Sequence, residues 1–423
     1  MIANKIKPLN IGKFVLQKRI EKGLTQEELV SGICSITYLS KLENNKLEGS
    51  EEITGLLLER IGVDLYNIEE LTSQFKQDCN HLYNAINDMN VEEAERYFQK
   101  VFSYESVIMD TELHIYIRLL SLRYYLFTKD PRAYECVENL KKYKKTFDTD
   151  QLFYFHYFQG IYLIQQSSLN DSLREFEKAY EILQDYSLKD ESVYYFLALC
   201  YSRLKKVRLA IFFSEKAVGY FQQIFNYKRV IDIHIILGIN YTRVKKYQEA
   251  LDLYDHIGRL ALNYKDYRLL SSIYHNVAYT HSKLKDHNKA IHYYKESLKY
   301  KDKEDQSYVN TIYYLAKEYL NVQSAIEADK QLEQGLGLSV EKNVGMYYKL
   351  FILRLNNGGE VKDQDLQFIE SKVIPYLYEN GDFQTLKEAY ALISGVYEDQ
   401  NKYKKANEYL KKLVTLLERE EVD

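Results

Sequence analysis

The chain has 423 residues, 46% apolar and 28% charged, with 42 tyrosines, no tryptophan and only three prolines; this composition excludes disorder and suits a core-forming protein. Proline breaks helix interiors, so the long stretches between Pro8, Pro131 and Pro375 favour long helices. The net charge of −4 is uneven: residues 1–46 carry +4 and the rest −8, a balance that suits a nucleic-acid-binding head on an acidic body.

Ile11, Phe14, Val15 and Leu16 open a helix that Gly23 stops. Thr25-Gln26-Glu27-Glu28 reads as a capping box, in which the Thr hydroxyl accepts from the Glu28 amide and Glu28 reaches back. Leu29 and Val30 then face inward, Gly32-Ile33-Cys34 makes a tight turn, and Ser35 caps a second short helix in which Ile36, Leu39 and Leu42 are expected to pack. Asn44-Asn45-Lys46 ends that helix, and residues 50–62 form another. Two short helices joined by a short turn make a helix-turn-helix.

KRIEKGLTQEEL followed by YLSKLENNK resembles the lambda-repressor-like (XRE) helix-turn-helix over about residues 9–63. The resemblance implies that Gln26 fixes a phosphate or base and that Thr37, Tyr38, Ser40 and Lys41 enter the major groove. Ser35, Asn45 and Lys46 would flank them as further DNA contacts, and Arg19 would pair with Glu43. The interval from Gln26 to Ser40 is one residue shorter than the commonest pattern. A plainer reading takes TQEEL as merely a good helix start, but it leaves the turn, the following helix and the basic flank unexplained. One such head reads few base pairs, so a dimer on dyad-symmetric double-stranded DNA, with half-sites about 34 Å apart or a multiple of that, is the expected partner.

A linker helix is expected over residues 64–75, and from residue 76 the chain repeats itself. ALCYSRLKKVRLAIFFSEKA, GINYTRVKKYQEALDLYDHI and AYTHSKLKDHNKAIHYYKES begin 40 residues apart, and the register extends through Leu82, Leu122, Gly160, Ala198, Gly238, Ala278, Ala316, Arg354 and Ser394. Twelve residues on stands Ala in six of these nine units and Ser172 in a seventh, while Tyr134 and Leu366 mark the degenerate second and eighth. Small residues at those two places allow close helix–helix contact, and Tyr125, Tyr201, Tyr241, Tyr319 and Tyr397 recur as wedges three residues into the register. The pattern resembles the tetratricopeptide repeat, lengthened from its period of about 34 residues. It predicts an all-α chain: a helix-turn-helix at 1–63, then a right-handed superhelix of about nine helix pairs over 76–423 for peptide binding and oligomerisation.

Such a superhelix has an inner channel lined by each unit's first helix. Register places Arg203, Asn240, Arg243, His275, Asn276, Tyr279, Asn310 and Tyr313 as candidate lining residues. Asparagine both donates to and accepts from a peptide backbone, and arginine can pair a carboxylate. The alternative for each is a solvated or capping role.

Head and repeats together resemble the RNPP family of peptide-pheromone receptors of Gram-positive bacteria, most closely those members with a DNA-binding head before nine long repeats. The resemblance implies that a short signalling peptide occupies the channel, alters the packing of a homo-oligomer (a dimer, or a tetramer with peptide), and switches DNA binding. Asn276, in YHNVAY, matches the asparagine that Rap proteins use on the peptide backbone, whereas Arg243 stands where they hold an acidic anchor. A Rap-like action on a sporulation response regulator is the second implied activity. VEEAE at 91–95 and LHIY at 113–116 resemble the Rap three-helix region, where Gln99 would be the catalytic glutamine, against a plain reading of Gln99 as solvated.

Cys34, Cys79, Cys136 and Cys200 are far apart, with no ligand spacing, and read as reduced thiols. His281, His287 and His292 lack a metal-site context, so no metal or cofactor is expected. With no long apolar run and no leader-like start, a cytoplasmic protein without membrane contact is expected.

Overall fold

The computed structural model describes residues 11–63, 65–105, 112–340, 343–358 and 361–420; within these, the side chains of 65–69, 112, 419 and 420 are not described. Everything regular among the described residues is helical. The head is four helices, α1 (Ile11–Glu21), α2 (Gln26–Val30), α3 (Ile36–Glu43) and α4 (Glu51–Ile61), closed on Phe14, Val15, Leu29, Leu39, Leu42, Leu57 and Leu58. Its boundaries are chemical. Gly23, in left-handed backbone at φ +68°, follows α1, and the Thr25–Glu28 capping box starts α2. The Ser35 hydroxyl caps α3 by accepting from the Tyr38 amide at 3.1 Å. The Arg60 guanidinium, from α4, donates to the Leu29 and Ser31 carbonyls and so satisfies the end of α2. One sequence expectation fails here. Ile36 does not pack inward; it is 46% exposed.

The next helix, α5, runs from Leu65 to Asn87 without a break, so residues 64–75 are not a separate linker helix. No glycine or proline interrupts that run, and Phe75, Cys79, Leu82, Tyr83 and Ile86 keep one face buried past the expected boundary.

The chain divides into two compact units, residues 1–240 and 241–423. After the head and α5, the first unit holds α6 (Val91–Ser103), α7 (Glu112–Thr128), α8 (Arg132–Tyr143), α9 (Thr149–Gln165), α10 (Leu169–Asp185), α11 (Val193–Arg203) and α12 (Val207–Gln223). The division falls within α13 (Tyr227–Arg243). The second unit continues with α14 (Tyr247–Asn263), α15 (Tyr267–Lys283), α16 (His287–Lys299), α17 (Gln306–Asn321), α18 (Ala325–Ser339) and α19 (Val344–Asn356). It ends with α20 (Asp363–Phe368), a π turn (Ile369–Val373), α21 (Ile374–Glu379), α22 (Phe383–Asp399) and α23 (Tyr403–Glu420).

The small-residue register explains the packing. Ala198, Ala278 and Ala316 are fully buried, as are Ala94, Ser172, Ala210, Ala250, Ala290 and Ala328 on the second helices. A Cβ on Gly160 would stand 2.5 Å from the Phe176 ring, which only glycine tolerates. Within those pairs the hydroxyls lock the contact: Ser172 Oγ donates to the Gly160 carbonyl at 2.8 Å and Ser394 Oγ to the Ala406 carbonyl at 3.0 Å. The turn inside each unit also has a fixed place. Seven residues past the register position, Met89, Lys129, Ser167, Lys205, Lys245, Lys285, Gln323 and Asn401 all adopt φ between +55° and +65°. That backbone costs a non-glycine residue about 1–2 kcal/mol, so the stacked helices, and not local propensity, hold these turns.

The degenerate eighth unit shows its departure directly. Arg354 is exposed, Leu366 is buried in place of a small residue, and a π turn stands just before Pro375. Proline has no N–H to donate, and a widened turn lets a helix continue through it.

Candidate functional site

The head's α3 is held by a buried carboxylate. Arg19 Nε donates to Glu43 Oε1 at 2.7 Å, its Nη1 to the Leu24 carbonyl at 2.8 Å, and Gln26 Nε2 to Glu43 Oε2 at 2.6 Å. The Arg19–Glu43 pair is thus present, and the Gln26 amide bonds to the same carboxylate. Glu43 Oε2 also accepts from Arg19 Nη2 at 3.2 Å, and the Gln26 amide keeps a second N–H that the bond to Glu43 does not use. Tyr38 is half-buried and also engaged within the head. Its hydroxyl accepts from the Ser50 amide at 3.0 Å, so the ring turns back to the start of α4. Ser35 is exposed, with its hydroxyl engaged as the α3 cap, and Ser40 is half-buried. Thr37, Lys41, Asn45 and Lys46 are exposed. The outer face of α3 is therefore Ile36, Thr37, Ser40 and Lys41, three polar or charged side chains and one aliphatic.

In the first unit the turn after α5 meets the start of α13. Asn226 Nδ2 donates to the Asn87 carbonyl at 3.1 Å and Lys228 Nζ to the Asp88 carbonyl at 3.1 Å, so the first repeat pair touches the start of the fifth. Asp190 is buried there, accepting from the Tyr83 hydroxyl at 2.6 Å, the Tyr154 hydroxyl at 3.1 Å and Ser192 Oγ at 2.6 Å. Arg123 is the unusual member. It is 4% exposed, makes no ion pair among the described residues, leaves Nε without a partner, and donates only a long 3.3 Å bond to Asn87 Oδ1. Burial pulls its pKa down, against an upward pull from Tyr157, Tyr83 and the buried Asp190 carboxylate, while the neighbouring Arg229 adds to the lowering. A guanidinium held this way is short of an acceptor, which a ligand carbonyl or carboxylate would supply. Sequence reasoning missed Arg123 because its register position carries no signal of burial.

Of the register-based candidates in this unit, Arg203 is exposed but Asn240 is not. Asn240 is fully buried and donates to Ser202 Oγ at 2.8 Å and to the Ile236 carbonyl at 2.7 Å, so it is corrected to a packing residue. Gln99 is exposed on α6 and donates to Glu95 Oε1 at 2.8 Å; Glu95 also takes the Tyr124 hydroxyl.

In the second unit Asn276 and Asn310 are half-buried, and neither side chain has a hydrogen bond among the described residues. Tyr279 meets Tyr314 edge-on, with Lys283 over its ring. Arg243 has Tyr254, Tyr279 and Tyr314 around it, and burial lowers its pKa. Two candidates change role. His275 Nδ1 lies 3.0 Å from Thr311 Oγ1, and burial, with Lys301 nearby, pulls its pKa down to about 3, so it is a neutral packing residue. Tyr313 is buried, and Lys317 donates to its hydroxyl at 3.3 Å.

The tetratricopeptide repeat family matches residues 191–223, 229–303 and 387–416. The chain is 29% identical over 400 residues to the transcriptional activator NprA of Geobacillus stearothermophilus, covering 90% of this chain and 97% of that one. It is 24% identical over 324 residues to the response regulator aspartate phosphatase A of Bacillus subtilis (strain 168), covering 71% of this chain and 85% of the other. Among solved structures, NprR in complex with its cognate peptide NprX is similar at a TM-score of 0.65 and 25% identity, covering 81% of this chain and 99% of that one. The match to NprA leaves unmatched fewer residues than the head contains, so it includes part of the head.

Proposed function

We propose, on the footing that this chain is an RNPP-family regulator of the NprR type, that it is a cytoplasmic, peptide-responsive DNA-binding transcriptional regulator. One observation carries the reading: a head with a polar outer α3 face shares one chain with a repeat body, and the likeness to NprA spans both. Thr37, Ser40 and Lys41, with Asn45 and Lys46 beyond, are the DNA-facing residues in this reading, and Ser35 holds the helix that presents them. A short signalling peptide is proposed for the body, as the similar NprR structure holds its cognate peptide, with Asn276, Asn310, Tyr279 and Arg243 of the second unit as its contacts; in the first unit, taken by itself, Arg203 and Arg123 are the candidates. The chain acts as a homo-oligomer, a dimer that peptide converts to a tetramer, on dyad-symmetric DNA. Electrophoretic mobility shifts on promoter fragments test this. A sequence-specific band that responds to a short peptide is expected, and its absence with and without peptide overturns the reading.

The likeness to an aspartate phosphatase supports a second activity toward a response regulator. Loss of phosphate from a phosphorylated regulator, slowed by Gln99→Ala, would support catalysis at that residue; unchanged loss would remove Gln99 from it.

A further inference from the structure

In the second unit the accessible side of α17 runs through Asn310, Tyr314 and Lys317, each half-buried between buried neighbours. Helix α15 has the same stripe in Asn276 and Tyr279, and Glu388 holds the corresponding place on α22. Counted from the register, Asn310 and Glu388 both stand six residues before it, and Tyr279 and Lys317 one residue after it. Lys317 Nζ donates to Glu388 Oε1 at 3.1 Å, a bond across 71 residues of chain, and the two side chains are 32% and 22% exposed. Helix α19 packs against both α17 and α22, yet its residues at the places of Asn276 and Tyr279 are Ile352 and Leu355, which are buried. The open stripe therefore stops at α19, and the ion pair stands at its end.

We propose that Lys317 and Glu388 select the charge of the bound peptide: paired with each other in the empty chain, they part to take one anionic and one cationic group of the ligand. Each keeps a neutral partner when the pair opens. Lys317 also donates to the Tyr313 hydroxyl at 3.3 Å, and Glu388 Oε1 also accepts from Gln384 Nε2 at 3.3 Å. An uncharged peptide laid over the pair would strip its remaining water and return nothing, and a singly charged one would strand the other partner. The ligand class is then a short peptide with one charge of each sign close together, carried by its side chains or by its own ends.

This inference rests on the peptide reading above and names the charge of its ligand. Two pools of random synthetic hexapeptides, one with free ends and one N-acetylated and C-amidated, are passed over the immobilised full chain at physiological salt. Retained members are sequenced by mass spectrometry. If side chains supply the charges, the wild type is expected to retain doubly charged members of the blocked pool at least about fivefold over uncharged ones. If the ends supply them, it should retain the free pool over the blocked one by a similar factor. A chain carrying Lys317→Met and Glu388→Met together removes the pair without stranding a charge, and it should lose the preference. The exchanged chain, Lys317→Glu with Glu388→Lys, should regain it; circular dichroism verifies that both are folded. Retention blind to charge, a preference that the double Met variant keeps, or an exchanged chain that does not regain it overturns the proposal and leaves peptide binding standing. No retention by the wild type overturns both.

Discussion

The Gln26 amide donates to Glu43 Oε2 at 2.6 Å, on the same buried carboxylate whose other oxygen Arg19 holds at 2.7 Å. This clasp ties α1, α2 and α3 together in a head of only four short helices. Glu43→Ala would leave Arg19 without its partner and is expected to cost the head about 3 kcal/mol. Specific DNA binding should be lost while peptide binding by the body persists. Chemical denaturation with parallel titrations checks this, and an unchanged head stability would show that the clasp is dispensable.

Ile36 is the aliphatic residue of the outward α3 face, and the apolar group that a major groove offers is the thymine methyl. Replacing thymine by uracil within the bound half-site is expected to weaken binding by about fourfold per contact, the worth of one buried methyl-sized group. Ile36→Ser should abolish that difference. Wild-type binding that ignores uracil at every position would remove Ile36 from base reading.

Asn240 and Asn276 make a matched contrast. The first is buried and fully engaged, while the second presents an amide without a side-chain partner. Asn240→Ala should lower the melting temperature, with a loss of about 1–3 kcal/mol. Asn276→Ala should leave stability unchanged and weaken peptide binding by about tenfold. Calorimetric titration alongside thermal melts separates the two outcomes, and reversed results would refute the assignment of Asn276.

Arg123 is buried without an ion pair, so its charge costs folding stability. Arg123→Met is expected to keep or raise the melting temperature and to weaken peptide binding by at least about tenfold. Should stability fall and affinity stay put, the guanidinium serves the fold alone.

His275 has its pKa depressed from 6.5 to about 3, chiefly by burial and further by Lys301. The unfolded chain therefore binds a proton at higher pH than the folded one. Its contribution to stability is complete above pH 6.5 and is lost as pH falls toward 3. His275→Gln should flatten the fall of second-unit stability across that window, and an acid limb identical to wild type would show that other groups set it.

The sequence by itself determined the repeat and the head's boundaries. Both rest on short-range demands: Ala210 and Ala250 must be small because two helices touch there, and Thr25 and Ser35 must cap because helix starts leave amides unpaired. What the sequence could not decide is which polar side chains stay available. Asn240 and Asn276 are the same residue on successive first helices, yet one meets Ser202 and the other meets nothing described. Ile36 looked like core because it is aliphatic, and only the packing of α3 turned it outward. Arg123 is buried beside Asn87, whose carbonyl Asn226 reaches across 139 residues of chain. Partners at such separations are set by the way helix pairs accumulate in the stack, a property of the assembled units that no local pattern encodes.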